Sequence, residues 1–101
     1  MRGPDEHHWQ WADDVVVFYL HRYPDKPVGY EDEQICSLLG ITIGAPNYRK
    51  GNFKAAEGSG GFKNTAQLTR YVYEGLKDLP ESLHRAQVIG ILGWKEHRRT
   101  V

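Results

Sequence analysis

Cysteine is nearly absent from this sequence: Cys36 stands alone, so no internal disulfide can form, and its apolar surroundings fit a thiol kept reduced in a core. Net charge is absent too, because thirteen Lys and Arg cancel thirteen Asp and Glu. A whole-chain field that would pull the protein onto nucleic acid or an acidic membrane surface is thereby excluded. No apolar run approaches the ~20 residues that a membrane helix requires, and Met1 to His8 carry acids but no hydrophobic segment, so neither a membrane span nor a secretory leader is expected. These absences predict a cytoplasmic protein. A length of 101 residues leaves room for one core.

What is present is aromatic and unevenly charged. Three Trp, six Tyr and three Phe can fill a small core without metal or disulfide. Residues 1–44 hold three cations (Arg2, Arg22, Lys26) against eight acids, whereas residues 45–73 hold five (Arg49, Lys50, Lys54, Lys63, Arg70) against Glu57 alone. The middle third is the basic part, and phosphate-binding surfaces are local features of this kind.

Apolar spacing of three and four predicts a first helix from about Trp9 to Arg22, with Asp13 and Asp14 favoured near its positive end. Val15-Val16-Val17 alone would suit a strand, but the flanking pattern is too long for one. Pro24, Pro27 and Gly29 break the chain. A second helix fits Asp32 to Leu39, with an acidic start, Ile35, Leu38 and Leu39 inward, and Gly40 as its stop. Thr42 is the expected N-cap of a third helix reaching Phe53 or Ala56, with Pro46 tolerated in the first turn. Glu57 to Gly61 reads as a loop, and Asn64 with Gln67 as a capping box opening a fourth helix whose apolar face is Leu68, Tyr71, Val72 and Leu76. A last helix begins at Glu81 through Leu83, Ala86 and Ile89; Val88 to Trp94 suits a buried strand as well as a loosened helix. No heptad or self-complementary stripe is apparent. The expected fold is mainly α, a small helix-turn-helix domain of about four or five helices with room for a short wing or strand. It comprises an N-terminal arm (1–8), the domain (9–94) and a basic tail (95–101).

Glu33 to Thr42 has the form of a first helix and tight turn, which in a helix-turn-helix lets the following helix present side chains to base edges in the major groove. Asn47, Tyr48, Arg49 and Asn52 become the candidates for reading bases, and Lys50, Lys54 and Lys63 the candidates for phosphates, with strongly salt-dependent binding. Double-stranded DNA is the expected partner.

The stretch Leu38-Leu39-Gly40-Ile41-Thr42-Ile43-Gly44-Ala45-Pro46-Asn47-Tyr48-Arg49-Lys50-Gly51-Asn52-Phe53 resembles the L-L-G-R-T-P-G-S-V-x-M-K-L-x-N-F signature of a module upstream of the nuclease in many HNH restriction endonucleases, some of which attack modified DNA. The order of features agrees over roughly residues 9–77, through the Gly-rich loop to Arg70-Tyr71-Val72-Tyr73-Glu74. The resemblance implies a DNA-recognition module of a restriction or phage system. Pro46 and Lys50 stand where that family has apolar residues. The catalytic part has no counterpart: Asn47, Asn52 and Asn64 are the only asparagines, and no His lies between His21 and His84.

The remaining constellations point to no enzyme, cofactor or metal. His7 and His8 are adjacent and so face apart on a helix, and His21, His84 and His97 lack ligand spacing. Gly58-Ser59-Gly60-Gly61-Phe62-Lys63 lacks the order of a phosphate loop and suits a wing-like contact through Lys63. Trp9, Trp11 and Trp94 are expected in the core. The alternative function is a small viral or mobile-element protein that binds and inhibits a host protein through its acidic half (Asp13, Asp14, Glu31, Asp32, Glu33), and a homodimer is open under either function.

Overall fold

The computed structural model describes residues 8–58 and 67–100. Five helices follow one another: α1 (Trp11–Arg22), α2 (Asp32–Leu39), α3 (Ala45–Glu57), α4 (Gln67–Leu76) and α5 (Glu81–Thr100). The protein is mainly α, and among the described residues there is no strand.

α1 is the axis of the core. Val15, Val16, Val17, Phe18 and Tyr19 are at most 1% exposed. Five successive residues sweep more than a full helical turn, so this helix has no solvent side along its middle. That explains the valine run: α3, α4 and α5 all pack against α1 and cover it around its circumference. α3 also packs on α4, while α2 rests mainly on α5. The α1 start is fixed by its own sequence, with the Gln10 N–H donating to Asp13 Oδ2 at 3.0 Å.

α2 runs as expected. Its first turn closes when the Glu31 N–H donates to Gln34 Oε1 at 2.8 Å. Its end is a Schellman turn: Gly40 takes φ of 76°, the Ile41 N–H donates to the Cys36 carbonyl at 2.9 Å, and the Gly40 N–H to Ser37 at 3.2 Å. The left-handed conformation there is why glycine suits the position.

Thr42 does not cap α3. Its carbonyl accepts from the Ala45 N–H at 3.0 Å in a preceding turn, and Gly44 is the N-cap. Pro46 falls in the first turn, where its missing N–H leaves no intrahelical bond unmade. The expected cap of α4 at Asn64 lies outside the described residues, as does the proposed wing.

Two faces differ from expectation. α4 buries Thr69, Val72 and Leu76, leaving Leu68 half-buried and Tyr71 66% exposed. α5 is one continuous helix through the ambiguous segment and on through Lys95 to Arg99. It buries His84, Val88 and Leu92, not Leu83, Ala86 and Ile89. His84 can enter the core because its Nε2–H donates to the Val15 carbonyl at 2.9 Å, leaving Nδ1 to face Arg22 Nη1 at 3.5 Å. Gly90 and Gly93 inside α5 each cost about 1 kcal/mol of helix propensity relative to alanine. A Cβ at either would meet open space, so packing among the described residues does not require them. Of the tryptophans expected in the core, Trp9 is half-buried, but Trp11 and Trp94 are 49% and 60% exposed.

Candidate nucleic-acid interface

The third helix divides cleanly into an inner and an outer face. Inward, Ala45, Pro46, Phe53 and Ala56 are buried. Phe53 stacks on Phe18 of α1, with ring centroids 4.7 Å apart and planes 12° from parallel. One turn earlier on both helices Arg49 meets Asp14, its Nε donating to Oδ1 at 2.8 Å and its Nη2 to Oδ2 at 2.7 Å. The Trp9 ring covers the guanidinium, 4.6 Å from its centroid. α1 and α3 are therefore joined by two successive rungs, one aromatic and one ionic.

This corrects the role expected for Arg49. A base-reading arginine must be free to extend into a groove, whereas this one is engaged with a carboxylate that is fully buried. Asp14 was expected to be satisfied by the field of the α1 N-terminus. Removed from water, it instead requires a partner with matched, two-pronged donors, which only arginine supplies. Burial pushes the Asp14 carboxyl above its ordinary range, and the two Arg49 hydrogen bonds and the guanidinium charge oppose that rise. Asp13 is buried as well, with Lys95 Nζ 3.9 Å from its Oδ1. Of the five carboxylates expected to form an acidic surface, only Glu31, Asp32 and Glu33, at the start of α2, are exposed.

Outward, Asn47, Tyr48, Gly51 and Lys54 are exposed, Tyr48 to 70%. Asn52 and Lys50 are half-buried at the edges of this face. No carboxylate occurs on α3 before Glu57, and Glu57 is turned toward His21 Nε2 at 3.0 Å. The outer face therefore offers an amide, a phenol and an ammonium with no carboxylate of α3 among them, while the exposed Asp32 of α2 lines a cleft together with Asn47 and Lys50. Lys63 lies outside the described residues. On the neighbouring helix α4, Arg70 and Tyr71 are exposed too. Neither was singled out as a contact from the sequence, because Tyr71 had been assigned to an apolar face.

No protein-family model, curated protein or solved structure matches this chain.

Between α2 and the start of α3 the structure opens into a cleft of about 340 Å³. Its floor is Leu20, Ile35, Cys36 and Pro46, and its rim carries Asp32, Asn47 and Lys50. A tight helix-turn-helix interlocks these two helices, whereas here α2 is supported by α5 and α3 by α1 and α4. Lys50 lines this cleft opposite the α2 residues Asp32, Ile35 and Cys36. Cys36 at the floor is 4% exposed, and burial raises its thiol pKa, which disfavours the reactive thiolate.

Proposed function

We propose that this protein is a double-stranded DNA-binding module that lays the outer face of α3 in the major groove and has no catalysis of its own. The observation that carries the proposal is the composition of that face: Asn47 and Tyr48 in the exposed first turn, Lys54 two turns on, and no free carboxylate between them. A helix N-terminus favours anions, and an exposed amide offers the paired donor and acceptor that adenine presents. The resemblance to the recognition region of HNH restriction endonucleases points the same way.

The contact set differs from the one the sequence suggested. Asn47, Tyr48 and Asn52 face base edges; Lys54, Lys50 and Lys63 take phosphates; and Arg49 holds α3 at its angle without touching DNA. With about two to four phosphates neutralised, binding weakens roughly ten- to a hundredfold between 50 and 200 mM salt. Fluorescence anisotropy with a labelled random duplex at those two salt concentrations tests this. Tyr48→Ala and Lys54→Ala should each weaken binding while leaving the unfolding midpoint unchanged. Absence of binding at the lower salt, or binding indifferent to salt, rejects the proposal.

The rival function, inhibition of a host protein through an acidic surface, retains only the α2 carboxylates. Capture of a host protein that persists after nuclease treatment and is lost on charge reversal of Glu31, Asp32 and Glu33 would favour it over DNA binding.

A further inference from the structure

One arginine joins the ends of α1 and α4. Arg22, the last residue of α1, donates from Nη1 to the Leu76 carbonyl at 2.9 Å and from Nη2 to the Lys77 carbonyl at 3.1 Å. Carbonyls at the end of an α-helix lack intrahelical donors, so a cation suits them. The rings of Phe18 and Tyr23 flank the guanidinium, their centroids 5.1 and 5.0 Å from its central carbon. Its Nη1 also faces His84 Nδ1 at 3.5 Å.

His84 has no accessible surface, and its two polar neighbours dictate its protonation. The Val15 carbonyl, 2.9 Å from Nε2, can only accept, so Nε2 carries the hydrogen. A guanidinium can only donate, so Nδ1 is the bare nitrogen. Only the neutral ring in this one tautomer satisfies both sides.

We infer that this corner is an acid-sensitive latch: a proton on His84 Nδ1 sets donor against donor and cation against cation, and Arg22 lets go of the end of α4. The arginine yields because the histidine is held. The His84 ring lies 5.6 Å from Phe18 and edge-on to Tyr19 at 5.1 Å, and its bond to Val15 strengthens when the ring is charged. Arg22 reaches in from a half-buried position and can return to water.

The surrounding charges leave that repulsion in place. Glu81, one turn before His84 on α5, attracts an imidazolium, but it already accepts from the Tyr19 hydroxyl and pairs with Arg85 at 3.3 Å. Glu74 of α4 and Lys77 just beyond it pair with each other at 3.1 Å on the surface. His21, beside Arg22 in the chain, is engaged with Glu57 of α3. Burial first, and then the Arg22 charge, lower the His84 pKa, against the opposing Val15 bond and Glu81. A depressed folded pKa keeps the latch closed at neutral pH and opens it as pH falls through that value. The inference does not use the outer face of α3 and stands apart from DNA binding.

Nuclear magnetic resonance of the full chain, titrated from about pH 8 to about pH 4, follows the His84 ring nitrogens and amide hydrogen exchange together. At the alkaline end the ring should carry its hydrogen on Nε2. The Lys77 and Leu79 amides donate to Tyr73 and Leu76, and the Ile35 amide in α2 donates to Glu31. As His84 titrates, the first two should lose protection at least about tenfold relative to Ile35, the worth of one charge-assisted hydrogen bond. His84→Gln keeps one donor and one acceptor but cannot titrate, so protection at Lys77 and Leu79 should hold relative to Ile35 throughout. Arg22→Met keeps the apolar stem; it should show the low protection already at the alkaline end and titrate His84 at higher pH than the parent. A ring protonated on Nδ1 at the alkaline end overturns the inference, as does a ring that stays neutral until the whole chain unfolds. Equal loss at Ile35, or acid loss in His84→Gln matching the parent, overturns it too.

Discussion

Replacing Arg49 with alanine tests whether the residue serves the fold or a ligand. Its side chain is 11% exposed and its partner Asp14 fully buried, so the substitution leaves an unpaired carboxylate without water. Breaking a buried pair from one side costs about 3–5 kcal/mol, out of the roughly 5–15 kcal/mol that holds a small domain together. For a domain of this size that corresponds to a drop of roughly 15–30 °C in Tm. Loss of the Trp9 contact adds to the deficit. The companion experiment removes both charges: Asp14→Leu with Arg49→Met should lie within about 1 kcal/mol of the parent, because apolar replacement of a buried pair is near neutral. Urea and thermal unfolding followed by circular dichroism give all the values for a double-mutant cycle, with an expected coupling of at least about 2 kcal/mol. If Arg49→Ala unfolds within about 0.5 kcal/mol of the parent, as an exposed arginine would, the structural role assigned here is wrong.

Stability should fall as pH drops below about 6.5, because burial first, and then the nearby Arg22 cation, hold the His84 pKa below its usual 6.5. A depressed folded pKa means the contribution is present above the unfolded value and is lost as pH falls through the folded one, so unfolding midpoints should decline from pH 7.5 to 5.5 and His84→Gln should flatten that decline; a pH-independent parent refutes it. Phe53→Ala removes a fully buried ring stacked 4.7 Å from Phe18 and should cost about 3–5 kcal/mol in urea unfolding, whereas a loss below about 1 kcal/mol would mean the stack does not support α3.

How much of this was legible in the sequence follows from how far apart the partners lie. α2 was readable to the residue, because Glu31 with Gln34 and Gly40 with Cys36 settle its two ends locally. The α5 stripe was not. Leu83-Ala86-Ile89 and His84-Val88-Leu92 have equally good helical spacing, and the choice rests on the Val15 carbonyl, 69 residues from His84 in the chain. The pairing of Arg49 with Asp14 was not legible for the same reason, since the two lie 35 residues apart. A signal was nevertheless available: Asp14 stands one turn before Phe18 and Arg49 one turn before Phe53. If the two Phe residues face each other in the core, the two charges must do so as well. Two acids immediately before an all-apolar run also point to cations held against them in the fold.

The same two rungs determine which part of α3 can reach a ligand. A helix whose residues 49 and 53 are pinned to α1 has no rotational freedom left, and its other positions are sorted by geometry into the buried Ala45, Pro46 and Ala56 and the outward Asn47, Tyr48, Gly51 and Lys54. α2 does little to hold that angle, because a cleft separates it from the start of α3. The orientation of the proposed recognition face therefore rests on a ring stack and a carboxylate–guanidinium pair, both beneath the surface that would meet DNA. Under the proposed function Arg49 would therefore act on DNA binding only through its grip on Asp14, and discrimination between DNA sites would fall to the exposed Asn47 and Tyr48.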